Sequence, residues 1–103
     1  MAQKTIFITG GASGIGRAVA VKFGSEGWFV GLADVNEAGM KETAGMLPAR
    51  KSSIHKLDVR DRAAWDAALA ACAMASSGRI DVMFNNAGIP LGGPLIENNV
   101  GEI

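Results

Sequence analysis

The chain has 103 residues, with ten basic and ten acidic side chains and 49% hydrophobic residues. That length suits one domain, the apolar fraction excludes a disordered chain, and the balanced charge excludes a general nucleic-acid binder. Its one cysteine, Cys72, excludes an internal disulfide and fits a reducing compartment.

Met1-Ala2-Gln3-Lys4 runs straight into an apolar stretch, so no signal peptide is expected. No run is long and apolar enough to span a membrane. The expectation is a cytoplasmic protein with no membrane and no nucleic-acid partner.

Thr5 to Thr9 reads as the first strand, and Thr9-Gly10-Gly11-Ala12-Ser13-Gly14-Ile15-Gly16 follows it. A helix is expected from about Ser13 to Ser25. Ile15, Val19 and Phe23, at four-residue spacing, would form its buried face, and Gly27 stands where a helix C-terminal glycine belongs. Strand, glycine turn and helix in that order make a place for phosphate. The first helical N–H groups lack internal partners, and the helix dipole adds partial positive charge there. Glycines allow the sharp turn and let a pyrophosphate approach the backbone. Ser13 can add a hydroxyl donor. The same turn could also be a tight β–α connection that binds nothing.

Trp28 to Ala33 is almost wholly apolar, as expected of a strand covered on both faces. Asp34 ends it, and Asn36 can cap the next helix. Met40, Ala44 and Leu47 fit the helical period there. Gly39 and Gly45 weaken that helix, and Pro48 closes it. Ser53 to Leu57 alternates polar and apolar and reads as a more exposed third strand at the sheet edge. Asp61 caps a third helix with Trp65, Leu69 and Cys72 on one face, ended by Ser77-Gly78. Ile80 to Phe84 is the fourth strand, and Asn85-Asn86-Ala87-Gly88 terminates it.

This alternation predicts a parallel, doubly wound α/β sheet of three layers. In such sheets ligands sit beyond the C-terminal strand ends. Four marked segments fall there: Gly10 to Gly16, Asp34, Asp58-Val59, and Asn85 to Gly88.

Asp34 lies 18 positions after Gly16, near the roughly twenty-residue offset of a ribose-binding carboxylate. A carboxylate also repels a 2′-phosphate, so NAD is favoured over NADP. No Lys or Arg adjoins Asp34 in the chain. Asp34 could instead be a turn residue, although Asn36 is better placed to cap. Asp58 could accept from an adenine amino group or be a solvated turn residue. His55, the only histidine, is expected to be solvated and has no neighbour suggesting a metal site. Cys72 reads as packing rather than a nucleophile. Trp28 and Trp65 are expected in the core, and Arg60-Asp61-Arg62 at a solvated helix start.

The spacing is T-G-x-x-x-G-x-G over Thr9 to Gly16, with Val19 where the common G-x-G-x-x-G pattern would place its third glycine. Together with Asp34, Asp58-Val59 and Asn85-Asn86-Ala87-Gly88, it resembles the short-chain dehydrogenase/reductase family over the whole chain. The resemblance implies a Rossmann-like domain, with residues 1–103 as its N-terminal part. It implies an NAD-dependent oxidoreductase moving hydride between nicotinamide and an alcohol or carbonyl substrate, and a homo-oligomer at full length. By position, Gly10, Ser13, Gly14, Ile15 and Gly16 would hold the pyrophosphate region. Asp34 would hold the adenosine ribose, Asp58 and Val59 the adenine, and Asn86, Ala87 and Gly88 the nearby ribose.

The family's catalytic Asn, Ser, Tyr and Lys have no counterpart here, and the chain contains no tyrosine. The 103 residues alone are therefore expected to be inactive. The alternatives are a non-catalytic nucleotide-binding module and a structural fragment binding nothing. In the latter, Val82, Met83 and Phe84 would form an apolar open edge.

Overall fold

The computed structural model describes residues 3–86. The elements run β1 (Thr5–Thr9), α1 (Gly14–Ser25), β2 (Phe29–Asp34), α2 (Glu37–Gly45), β3 (Ser52–Lys56), α3 (Arg62–Ala75) and β4 (Val82–Asn85). The four strands form one parallel sheet in the order β3-β2-β1-β4. The chain thus builds outward from β1 to β3, then returns to the other side of β1. That reversal is the topological switch point where open α/β sheets bind ligands.

β1 is central, and every residue in it is buried. Its alternation feeds two separate cores, because successive strand side chains point to opposite faces. Ile6 and Ile8 join Val30, Leu32, Ala20 and Met40 under α1 and α2. Phe7 joins Phe29, Ala33, Trp65, Ala68 and Cys72 under α3. Gly31 keeps that second layer thin, since a Cβ there would land on Cys72 Sγ.

The expected buried face of α1 is displaced by one position. Ile15 is 65% exposed, and the buried line is Gly16, Ala20 and Gly24. Val19 and Phe23 flank it, half-buried. Small residues win because the helix lies close: a Cβ on Gly24 would come within 2.8 Å of Leu47 Cδ2. Trp28 packs against the core under α1 and α2 without being fully buried in it. It precedes β2, half-buried, with its ring edge-on to Phe23 at 4.9 Å and Lys4 Nζ 5.7 Å from its centroid.

Helix α2 has the expected cap: Asn36 Oδ1 accepts from the Gly39 N–H at 2.9 Å. Asp61 Oδ1 caps α3 by accepting from the Ala64 N–H at 3.0 Å. β3 is an edge strand, as its alternation predicts, but His55 is half-buried rather than solvated. Its Nε2 lies 2.7 Å from Ser53 Oγ and its ring 5.9 Å from that of Phe7. Burial pushes its pKa below the usual 6.5. Burial raises the pKa of the Cys72 thiol, against a smaller lowering by Ser53, which fits an unreactive packing residue.

At the other edge Val82 and Met83 are 36% and 40% exposed. Among the described residues β4 pairs only with β1, and Phe84, expected at the same edge, is half-buried against the core under α1 and α2.

Candidate cofactor site

The C-terminal ends of all four strands meet around the turn after β1. The Gly10 N–H donates to the Ala33 carbonyl at 2.8 Å, which ties the turn to β2. Gly10 and Gly14 have φ of 74° and 62°, a region that a Cβ makes costly. Gly16 is needed for a different reason. A Cβ there would strike the Gly10 carbonyl and sit 3.1 Å from Asn86 Nδ2.

Ser13, Gly14 and Ile15 are exposed at the start of α1. Ser13 is the N-cap residue by backbone, yet its hydroxyl makes no capping bond. A Cβ on Gly14 would meet nothing within 4 Å. The turn therefore presents open space to the first unpaired N–H groups of the helix, the shape a pyrophosphate requires.

Asp34 ties two segments together. Its Oδ2 accepts from the Ala12 N–H at 3.1 Å, and its Oδ1 from the Asn36 N–H at 3.0 Å. It is both a turn residue and a wall of a cleft of about 360 Å³ that Gly10, Val35, Asp58, Val59 and Arg60 also line. The cleft thus brings the ends of β1 and β2 together with the segment after β3. Val59 turns its side chain into the α3 core, 8% exposed.

Asp58 is more engaged than its sequence position suggests. Its carboxylate accepts from Arg60 Nε at 3.0 Å, Arg60 Nη2 at 2.9 Å and the Arg60 N–H at 3.0 Å. The Arg60 side-chain bonds, then its backbone N–H, hold the Asp58 pKa down to about 2. Arg60 is distant from Asp34 in the chain but shares its cleft, and Lys56 stands opposite Asp34 across β2 and β3. Basic residues are therefore near Asp34 in space, although none adjoins it in sequence.

The end of β4 meets the turn from the other side of β1. Thr9 Oγ1 donates to Asn85 Oδ1 at 2.9 Å, and Asn86 Nδ2 lies 3.5 Å from the Gly10 carbonyl. Asn86 thus rests against the glycine turn. Ala87 and Gly88 lie outside the described residues.

Two contributors, Arg17 and Thr43, carried no sequence signal, and a third, Gly39, stood out only as a glycine inside a helix. Thr43 is fully buried and its hydroxyl reaches the Gly11 carbonyl at 2.8 Å. Arg17 reaches Thr43, Ala12 and Gly39. Gly39, which weakens α2 locally, lets the helix dock. A Cβ there would come within 2.8 Å of Ala12 Cβ. No group of three metal-binding side chains occurs among the described residues, and none of their helices is long and apolar enough to cross a membrane.

A family model described as short chain dehydrogenase matches residues 4–103. A meso-2,3-butanediol dehydrogenase of Serratia marcescens is 34% identical over 100 residues, covering 97% of this chain and 39% of that protein. An L-2,3-butanediol dehydrogenase of Corynebacterium glutamicum is 38% identical, covering 92% of this chain and 38% of that protein. The crystal structure of a 3-ketoacyl-(acyl-carrier-protein) reductase from Brucella melitensis, complexed with NADH, superposes with a TM-score of 0.77. It is 33% identical, covering 91% of this chain and 39% of that one. The chain thus spans about two-fifths of the length of these relatives.

Proposed function

The chain belongs to the short chain dehydrogenase family, and from that premise we propose that it is the cofactor-binding part of an NAD-dependent oxidoreductase acting on an alcohol or carbonyl compound. The observation that carries this reading is the open glycine turn beside a cleft walled by Asp34. The NADH complex of the Brucella reductase and the named activities of the butanediol dehydrogenases support it.

Each residue then has a definite task. Gly10, Gly14 and Gly16 shape the turn, and the exposed N–H groups at Ser13, Gly14 and Ile15 take the pyrophosphate oxygens. Asp34 accepts from the adenosine ribose while it holds Ala12. Asp58 and the Val59 backbone face the adenine from the other wall of the cleft. Asn86 keeps the turn in place, and Ala87 and Gly88 are assigned to the nearby ribose by their place in the family's motif. When bound, the nicotinamide supplies or accepts the hydride.

NAD is preferred to NADP because the Asp34 carboxylate would face a 2′-phosphate. Arg60, in the same cleft, is neutralised by Asp58. The catalytic acid–base residues belong to a part of the domain beyond residues 1–103. This chain has no tyrosine to serve in that role, so the 103 residues alone bind cofactor without turnover.

The test is a fluorescence titration of the purified chain with NADH and NADPH, followed by a carbonyl screen. Tighter binding of NADH and no turnover are expected. A preference for NADPH would refute the reading of Asp34, and absence of all nucleotide binding would favour a structural fragment. In that second reading the exposed Val82–Met83 edge drives self-association, seen as concentration-dependent sedimentation.

A further inference from the structure

Behind the glycine turn lies a bonded pair, Arg17 and Thr43, neither of which lines the cleft. Thr43 Oγ1 is 2.8 Å from the Gly11 carbonyl and 3.2 Å from that of Gly39. A hydroxyl has one proton to give, and the shorter contact is to Gly11. Arg17 Nε donates to Thr43 Oγ1 at 2.9 Å. Arg17 Nη2 donates to the carbonyls of Ala12 and Gly39. Thr43 is fully buried, and the Arg17 side chain is 26% exposed.

Two carbonyls of the turn are therefore held from α1 and α2. In a planar trans peptide the C=O and N–H point in opposite directions. Holding the Gly11 carbonyl on Thr43 sends the Ala12 N–H the other way, and that N–H is found on Asp34 Oδ2 at 3.1 Å. Holding the Ala12 carbonyl on Arg17 turns the Ser13 N–H away from α2, toward the exposed side of the turn.

Resting on the reading that this turn holds the cofactor pyrophosphate, we infer that Arg17 and Thr43 are positioning residues. They fix two successive peptide planes and so pre-aim the donors of the turn. Without them the turn keeps its glycines but must order those planes on binding, a cost subtracted from affinity.

Packing alone would make these residues structural, and the two roles separate in one experiment on the full-length protein. Thr43→Val keeps the shape and removes the donor, and Thr43→Ser restores it. Arg17→Met removes both carbonyl bonds. Thr43→Val and Arg17→Met are expected to weaken NADH binding about tenfold, with adenosine binding little changed in Arg17→Met, whose peptide plane does not reach Asp34, and with Thr43→Ser near the parent. In the ligand-free protein, amide hydrogen exchange at Ala12 should quicken in Thr43→Val while Val30, in the core strand, keeps its protection.

NADH affinity within about twofold of the parent would overturn the inference, as would equal losses for NADH and adenosine in Arg17→Met. If the parent binds no dinucleotide, the cofactor reading fails by itself. The positioning role then rests on exchange alone, and unchanged exchange at Ala12 overturns it. If Thr43→Val does not fold, Arg17→Met, at the more exposed member of the pair, carries the same comparison.

Discussion

Asp34 Oδ2 accepts the backbone N–H of Ala12 at 3.1 Å across 22 residues of sequence. That bond joins the end of β2 to the turn after β1, so one carboxylate both builds the turn and walls the cleft.

Replacing Asp34 by alanine should accordingly have two effects. It removes a charge-assisted acceptor, a loss of about 1.5–3 kcal/mol and roughly ten- to a hundredfold in NADH affinity. It also removes the repulsion of a 2′-phosphate, so NADPH should lose much less. Parallel titrations with the two cofactors check this, and equal losses would contradict it.

Gly16→Ala and Gly14→Ala should differ in kind. At Gly16 the new methyl meets the Gly10 carbonyl, which must shift, for about 1–3 kcal/mol of stability. At Gly14 the methyl enters open space, and the cost is the positive φ of 62°, about 1–2 kcal/mol. It would also occupy the mouth of the turn. Thermal melts should rank Gly16→Ala as the less stable, while NADH titration shows Gly14→Ala weakening binding beyond its stability loss. The reverse ranking would mean that Gly16 is not packed as described.

The Asp58–Arg60 pair gives an acid-side signature. The Asp58 pKa falls from 3.8 to about 2 in the folded chain. A depressed carboxylate pKa contributes stability above the unfolded value and loses it as the pH falls through the folded value. In urea melts, Arg60→Ala should differ from the parent above pH 3.8, and the difference should close as the pH falls toward about 2. The pair is exposed, so added salt should narrow the difference at every pH. A gap that widened on acidification would have the wrong sign.

His55 is the only histidine, so its imidazole resonances are unambiguous in an NMR titration. Burial disfavours its charged form, and the midpoint should lie below 6.5 in the folded protein. Stability from this group is then present above pH 6.5 and is lost as the pH falls below it. A midpoint at or above 6.5 would show a solvated ring.

Much of this architecture was legible in the chain. Periodicity and punctuation located every element among the described residues, mostly to within one or two positions, because parallel strands buried on both faces read as apolar runs. Asn36 and Asp61 were legible as caps because capping depends on the next three residues only. The buried face of α1 was misread because Ile15 is apolar, whereas helix–sheet approach selected Gly16, Ala20 and Gly24. His55 was misread because alternation alone does not show that α3 covers that face of an edge strand.

By itself, the sequence determined the strand–turn–helix order, the glycine spacing and the acid at the end of β2, all of them local features of the backbone. Only the tertiary structure decided that Arg17 and Thr43 hold the carbonyls of the turn, that Arg60 occupies Asp58, and that Arg60 shares a cleft with Asp34. Hydrogen bonds between residues far apart in the chain leave no periodic trace. They exist only once the sheet has brought its strand ends together.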